Sequence, residues 1–287
     1  MKIVKQYTMT FLALAAIAFA GCTHEDLPEG SDLDVSNPPQ STLDEWITTN
    51  YFNPYNINVQ YKWNPNNVDL NTYLYPPEEN KVQPALEVIQ KIWLDSYQTI
   101  AGPDFIKKIA PREIVLVGGI SLDLNGVTTL GLAESGQRII LFETDKIDKT
   151  DRENVKEFIH TIQHEYIHIL NQHKPYDEKS MAKITPSGYT ASWFDTSDKD
   201  ANEQGFITAY AKMNINEDFA EMASVMLINS KDEYEAILAG IQNEDAVAAI
   251  RAKEAVVVKY FEKEFGVDFY ALRDEAQKNT TAVLNGN

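Results

Sequence analysis

Residues 164–168 read His-Glu-Tyr-Ile-His, and this pentapeptide constrains the fold more than any other stretch of the chain. In a helix of 3.6 residues per turn, His164 and His168 lie one turn apart on the same face, where both imidazoles can close on one cation while Glu165 flanks it. That geometry needs a helix, and the flanking residues supply one. Val155, Phe158, Ile159, Ile162, Ile167 and Leu170 recur at three- and four-residue intervals, Asp151 and Glu153 favour the helix start, and no proline intervenes before Pro175. On its own the pair also reads as two histidines of an amphipathic helix, paired with carboxylates or facing water.

A hydrolytic zinc site wants three protein ligands and one open position, so a second segment must deliver a donor to the same point. A further histidine six residues on, after a glycine, is excluded, because Asn171 and Lys174 hold those positions and His173 sits one residue short. Asp177, beyond Pro175, is one candidate. Residues 216–226 offer a stronger one: Glu217 and Glu221 share one face of a helical segment, and Phe219, Met222, Ala223 and Met226 share another. If Glu217 binds the metal, Glu221 is placed one turn along to accept the free N–H of a ligating imidazole, which fixes its tautomer. Two solvated glutamates suiting the helix dipole are the alternative.

His164-Glu165-Tyr166-Ile167-His168 followed by Asn216-Glu217 and Glu221 resembles the gluzincin pattern of two motif helices. The resemblance implies that Glu217 is the third ligand of one zinc ion per chain, that Glu221 buttresses one histidine and that Asn216 supports the other. The gap between the motifs is longer than in thermolysin-like enzymes. Tyr210, seven residues before Glu217, resembles the tyrosine of anthrax-lethal-factor-like metallopeptidases, which implies a phenol donating to the oxyanion; a tyrosine packed ahead of a helix is the alternative. More of the chain is similar to the zinc metallopeptidase lipoproteins found alongside outer-membrane substrate-import systems of Bacteroidetes-type bacteria. That likeness rests on the start of the chain, on Phe52-Asn53-Pro54-Tyr55-Asn56-Ile57 to Tyr61-Lys62-Trp63, and on the two metal motifs. It implies a peptide or glycopeptide substrate and a TonB-dependent import complex as partner.

The amino terminus agrees with export. Lys2 and Lys5 precede an apolar run from Met9 to Ala20, too short for a membrane span but suited to a signal peptide over residues 1–21. Phe19-Ala20-Gly21-Cys22 then reads as a lipobox, and Cys22 is the only cysteine, so it is expected to carry lipid and no internal disulfide can form. Glu25 and Asp26 resemble the surface-export signal of such lipoproteins, which implies the outer face of the outer membrane. With 43 acidic against 25 basic residues and a net charge of −18, nucleic acid is a poor partner, and membrane attachment is expected through the acyl chain. Residues 22–42, rich in Pro, Asp, Ser and Gly, read as a flexible tether; residues 43–287 suit one large domain, with 43–110 a candidate amino-terminal lobe.

Ile57 to Trp63 alternates as a half-buried strand, Val82 to Tyr97 has helical spacing, and Glu113–Val117 and Arg138–Phe142 read as strands separated by a Gly-rich turn region. After the glutamate helix, Glu233–Leu238, Asp245–Phe265 and Asp268–Gln277 look helical. The expected fold is α+β and zincin-like: a small mixed sheet beside an active-site helix, whose edge strand can pair with an extended substrate, then a glutamate helix and a helical carboxyl-terminal half. The aromatic residues Trp46, Tyr51, Phe52, Tyr55, Tyr61, Trp63, Tyr73 and Tyr75 suit core more than a sugar-stacking platform. Asp198, Asp200 and Asn202 imitate a calcium loop, but Glu203 and Ala209 occupy its glycine and glutamate positions, leaving only an irregular cation site. Gly118-Gly119 lacks the remainder of a phosphate loop and reads as a turn. The expected chemistry is hydrolysis by a metal-activated water with Glu165 as base. Two alternatives use the same residues: a non-catalytic surface lipoprotein that captures a glycan or peptide for import, and a deacylase acting on another amide.

Overall fold

Two runs of β-branched and leucine residues form the centre of the sheet in the computed structural model, which describes residues 40–64, 74–122, 128–134 and 136–286. The expected signal peptide, Cys22, the tether as far as residue 39, and Tyr73 lie outside the described residues. Six strands lie among those described: β1 (Asn58–Gln60), β2 (Glu113–Leu116), β3 (Ser121–Leu122), β4 (Thr128–Thr129), β5 (Gly131–Glu134) and β6 (Arg138–Leu141). Four of them form a sheet in the order β1-β2-β6-β5, in which β1, β2 and β6 run parallel and β5 is antiparallel on the edge. Both faces of the centre are covered, so its strands read as continuous apolar runs. Ile114, Leu116, Ile139 and Leu141 enter the main core, while Val115, Val117, Ile140 and Phe142 pack under Leu74 on the other face.

The segment between β2 and β6 departs from the expected turn region. It holds the β3–β4 hairpin and then β5, whose Gly-Leu-Ala-Glu sequence carries little strand propensity. Its register with β6, Gly131↔Leu141 through Glu134↔Arg138, is what makes it a strand. Pairing with a partner can impose this; a local pattern cannot announce it.

The chain before the sheet supplies α1 (Thr42–Ile47), opened by a Ser41–Asp44 capping box, then α2 (Glu79–Val88), which runs through a π turn (Ile89–Leu94) into α3 (Asp95–Ala101), and α4 (Pro103–Ile109). After the sheet come α5 (Arg152–His173), the short α6 (Glu178–Ala182) and α7 (Asp198–Asn202), then α8 (Ile215–Ile228), α9 (Lys231–Ala239), α10 (Glu244–Tyr260) and α11 (Phe269–Leu284). The mixed α+β fold with a helical carboxyl-terminal half is therefore as the periodicity indicates. From Ser41 onward the chain is one compact unit, and β1, within the candidate amino-terminal lobe, shares the sheet with β2. Among the described residues no helix is long and apolar enough to cross a membrane.

Helix α5 runs through the middle of this unit. Its rear is held by aromatic rings: Tyr166 meets Trp93 and Tyr97 edge-on at centroid distances of 4.9 and 5.1 Å, and the Tyr97 hydroxyl donates to Gln163. Edge-to-face pairs of this kind add about 0.5–1.5 kcal/mol each beyond their area. Within the pentapeptide, then, Tyr166 and Ile167 anchor the helix while His164, Glu165 and His168 face the other way. Of the amino-terminal aromatics, Tyr51, Tyr55 and Tyr61 are buried in the core, whereas Phe52, Trp63 and Tyr75 are exposed.

Candidate metal centre

Both motif helices are started by side chains that fix their first turn. Asp151 caps α5 by accepting from the N–H groups of Glu153 and Asn154, and Asn214 caps α8 by accepting from Asn216 and Glu217. The second cap places Glu217 in the first turn, with its backbone already held. The roll of α8 is fixed next door, where Asp218 is fully buried against the Lys253 ammonium at 2.7 Å and accepts from the Tyr189 hydroxyl at 2.8 Å. Lys253 in turn lies 3.8 Å above the Phe206 ring. Burial raises the Asp218 carboxyl to about 6 against the pull of Lys253, so this pair orients α8 while storing desolvation cost.

Three donor atoms converge from these helices. His164 Nε2 and His168 Nε2 are 3.1 Å apart, and Glu217 Oε2 lies 2.9 Å from the first and 3.1 Å from the second. Zinc–nitrogen bonds of about 2.0–2.1 Å in a tetrahedron imply donor separations of about 3.3 Å, so two neutral imidazoles and one carboxylate at these distances form one face of such a site and leave its fourth corner open. The donor set therefore fits zinc. The contacts with His164 and His168 overcome burial and hold Glu217 down at about 2.

Behind the triangle, Glu221 is buried and fully engaged. Its Oε1 accepts from His164 Nδ1 at 2.7 Å and its Oε2 accepts from the Thr208 hydroxyl at 2.6 Å. Glu221 thus sits directly behind His164, on the side away from Glu217. His160, which the sequence reading passed over, brings Nε2 to 3.1 Å from the same Oε1, though poorly directed for a hydrogen bond. His160, His164 and Glu221 form a second cluster able to hold an ion. With its Nε2 in the triangle, however, His164 must carry its proton on Nδ1 toward Glu221, so that nitrogen is not open to a second ion. The signal in the sequence was a histidine one turn before His164, but its partner lies 61 residues away.

Glu165 is buried beside the triangle. Burial raises its carboxyl above the ordinary range, against the attraction of His164 and His168 and a hydrogen bond from the Ala133 N–H. That bond places β5 across the front of α5. Gly131 makes the approach feasible, since a Cβ there would come within 2.5 Å of Thr161 Cγ2 and 3.3 Å of Glu165. Because Leu130 O accepts from Phe142 N, alternation turns the N–H and C=O groups of Gly131 and Ala133 away from β6, on the side of the cleft, where the Ala133 N–H meets Glu165.

Tyr210 lines the same cleft, its ring centroid 5.6 Å from that of His164 and packed edge-on against Trp193. Burial and the carboxylates of Glu217, Glu165 and Glu221 push its phenol well up, so it stays a donor. Asn216 departs from the role the resemblance implied: its Oδ1 accepts from the Tyr176 hydroxyl at 3.2 Å, a bond that ties α8 to the chain after α5 instead of one to His168. Asp177 lies outside the triangle and caps α6 through Ser180. Asp198 accepts from the Ala209 N–H and Asp200 pairs with Ser197, so both serve local backbone structure around α7. Cys22 lies outside the described residues. The cleft over the triangle has a volume of about 580 Å³ and includes Asn171, Gln172, Asn214 and Asn216; a side pocket of about 400 Å³ opens beside it.

A family model described as "Putative zinc-binding metallo-peptidase" matches residues 36–270. The crystal structure of a protein of that description from Bacteroides caccae superposes with a TM-score of 0.70 at 29% identity, over 85% of this chain and 93% of that one. No curated protein matches the chain.

Proposed function

As the chain belongs to the putative zinc-binding metallo-peptidase family, we propose that it is a zinc-dependent peptidase of the gluzincin type that hydrolyses peptide or amide bonds. The observation that carries this reading is the convergence of His164 Nε2, His168 Nε2 and Glu217 Oε2 within 3.1 Å of one another, with Glu165 buried alongside and bonded to an edge strand. A zinc ion held by the three would supply Lewis acidity to water and to the substrate carbonyl. Glu165, its basicity raised by burial, takes the proton of the attacking water and returns it to the leaving amine. Tyr210, kept protonated, donates to the oxyanion. Glu221 orients His164 through Nδ1. The cleft-side N–H of Gly131 and the carbonyls of Gly131 and Ala133 hold the substrate as an added strand.

A base poised beside an open coordination position favours this reading over passive capture, since a structural zinc site fills all four positions with protein groups. Glu165→Gln is expected to abolish peptide cleavage while leaving one zinc per chain. Cleavage at the wild-type rate would remove Glu165 from its role, and absence of zinc from the pure protein would remove the proposal altogether. We further propose that Cys22 carries the lipid that anchors the enzyme at the outer membrane, outer face outward, beside an import complex supplying or removing peptides or glycopeptides. The support is Lys2, Lys5 and the Phe19-Ala20-Gly21-Cys22 sequence. Labelling with a fatty-acid probe, lost in Cys22→Ala, tests the anchor.

A further inference from the structure

The two ends of the cleft differ along β5. Toward Leu130 the walls are Leu130, Trp193 and Met213. Toward Ala133 they are carboxamides, Asn171 and Gln172 from the end of α5 and Asn214 and Asn216 from the start of α8, with no lysine or arginine among them. A carboxamide offers both an acceptor oxygen and two N–H donors. Here the oxygens are spent within the protein. Asn171 Oδ1 accepts from the Tyr176 backbone N–H at 3.1 Å, and Asn214 Oδ1 accepts from those of Asn216 and Glu217 at 2.8 and 3.1 Å. Asn216 Oδ1 accepts from the Tyr176 hydroxyl at 3.2 Å, and Gln172 Oε1 lies against Gly136, where it leaves no room for a Cβ.

What this arm of the cleft still offers is a set of donors. Among the described residues the Nδ2 groups of Asn171, Asn214 and Asn216 have no partner. The carboxylates lining the arm are occupied as well: Glu165 accepts from the Ala133 N–H and is the base of the proposed reaction, and Glu217 holds the two imidazoles and the Tyr210 phenol. A substrate carbonyl entering here finds N–H groups to accept from, whereas an ammonium finds only other donors. The net charge of −18 draws cations toward the protein, but that attraction is screened beyond about 10 Å in salt and supplies no acceptor at the site. A free amine held in the arm keeps its charge and loses its hydration without compensation.

Direction follows from strand pairing. A peptide added antiparallel to β5, the more stable arrangement, runs from the Ala133 end toward Gly131, so the residues before the scissile bond occupy the carboxamide arm. Resting on the reading of the site as a peptidase centre, we propose that the enzyme requires an acylated nitrogen on the residue before the scissile bond, so that it cuts internal bonds and rejects substrates whose free α-amine lies there. The carbonyl that acylates this nitrogen accepts from the arm, and Asn171 is a specificity-determining donor. Within a chain every residue carries such a carbonyl, so the arm reads the backbone and not the side chains. The expected preference for an acylated over a free amine is on the order of a hundredfold in kcat/KM, because a site built of donors leaves an ammonium unpaired.

Cleavage of a peptide mixture by the zinc-loaded chain, mapped by mass spectrometry, fixes a scissile bond, and a pair of peptides is then made in which the residue before that bond is the first of the peptide, with its amine free or acetylated. The acetylated peptide should be cut about a hundredfold faster in kcat/KM. Equal rates, a preference for the free amine, or a strict requirement for a free carboxylate just beyond the cut overturns the proposal. Asn171→Asp keeps the oxygen that accepts from the Tyr176 N–H and sets a carboxylate oxygen where the donor stood. The acetyl-to-amine ratio should then fall about tenfold or more; a purely structural role would leave it unchanged, and an unchanged ratio removes Asn171 as its determinant. If no chelator-sensitive cleavage of any peptide occurs, the peptidase reading itself fails. The arm is then judged by binding alone, with acetylated and free-amine forms of one short peptide titrated calorimetrically into zinc-loaded Glu165→Gln protein. An acetylated form bound about tenfold tighter supports the arm; equal affinity, or no binding of either, overturns it.

Discussion

Zinc uptake by this site is expected to release a proton and to strengthen about tenfold per pH unit across the neutral range. Burial opposes a charge on His164, but its hydrogen bonds to Glu217 at 2.9 Å and Glu221 at 2.7 Å outweigh burial and push its pKa up to about 10. A ring that carries protons on both nitrogens offers no lone pair, so zinc must displace one of them. Between pH 7 and a pKa of about 10 this displacement costs roughly 4 kcal/mol of zinc-binding free energy. Because the pKa is raised, the charged ring prevails below it, apparent affinity climbs as pH rises, and the climb ends near pH 10. Glu221→Gln acts in two opposed ways. It removes the acceptor that orients the ring, worth about ten- to a hundredfold in affinity, and it removes a carboxylate that holds the competing proton. The advantage of the wild type over Glu221→Gln should therefore be largest near pH 9 and shrink toward pH 6. Competition against a chelator across that range, with calorimetry in buffers of different ionisation enthalpy to count protons, measures both. Affinity independent of pH, or the same wild-type advantage at every pH, refutes the reasoning.

Gly131→Val should lift β5 from α5, because even a Cβ meets Thr161 Cγ2 at 2.5 Å; a fall in kcat/KM of tenfold or more is expected, with zinc content retained, and unchanged kinetics would show that β5 does not carry substrate. Lys253→Met leaves Asp218 buried without its cation and should cost about 3–5 kcal/mol in urea unfolding, most of it recovered in Lys253→Met/Asp218→Leu; a loss below about 1 kcal/mol would contradict the burial argument. Glu233 is held at about 2, burial being outweighed by Arg152 and the Ser230 cap. Its lowered pKa contributes stability above its ordinary value near 4.5 that is lost as pH falls toward 2, about 1 kcal/mol after allowance for a side chain 35% exposed. Glu233→Gln should flatten the stability profile in that window, and an identical profile would exclude the contribution.

Much of the site was legible in the sequence because it is local. His164, Glu165 and His168 are set by helix period alone, and so is the shared face of Glu217 and Glu221, while Asp151 marks the start of the first motif helix. The helices after α8 were legible for the same reason, their apolar spacing surviving whatever they pack against. Strand β5 was not, since Gly-Leu-Ala-Glu becomes a strand only by pairing with β6. Nor was His160, whose meaning depends on a carboxylate 61 positions later, nor the turn of Asn216 toward Tyr176, which competes for the same side-chain oxygen.

The sequence by itself determined the chemistry available: two imidazoles and a base one turn apart, and a second acidic helix. Periodicity of side chains along a single element is encoded by bond geometry and needs no partner. Tertiary structure alone decided that Glu217 meets His164 and His168 within 3.1 Å, that an edge strand crosses Glu165, and that one end of the cleft is apolar. Those relations join elements tens of residues apart, and only the packing of α8 and β5 against α5 sets the distances between them.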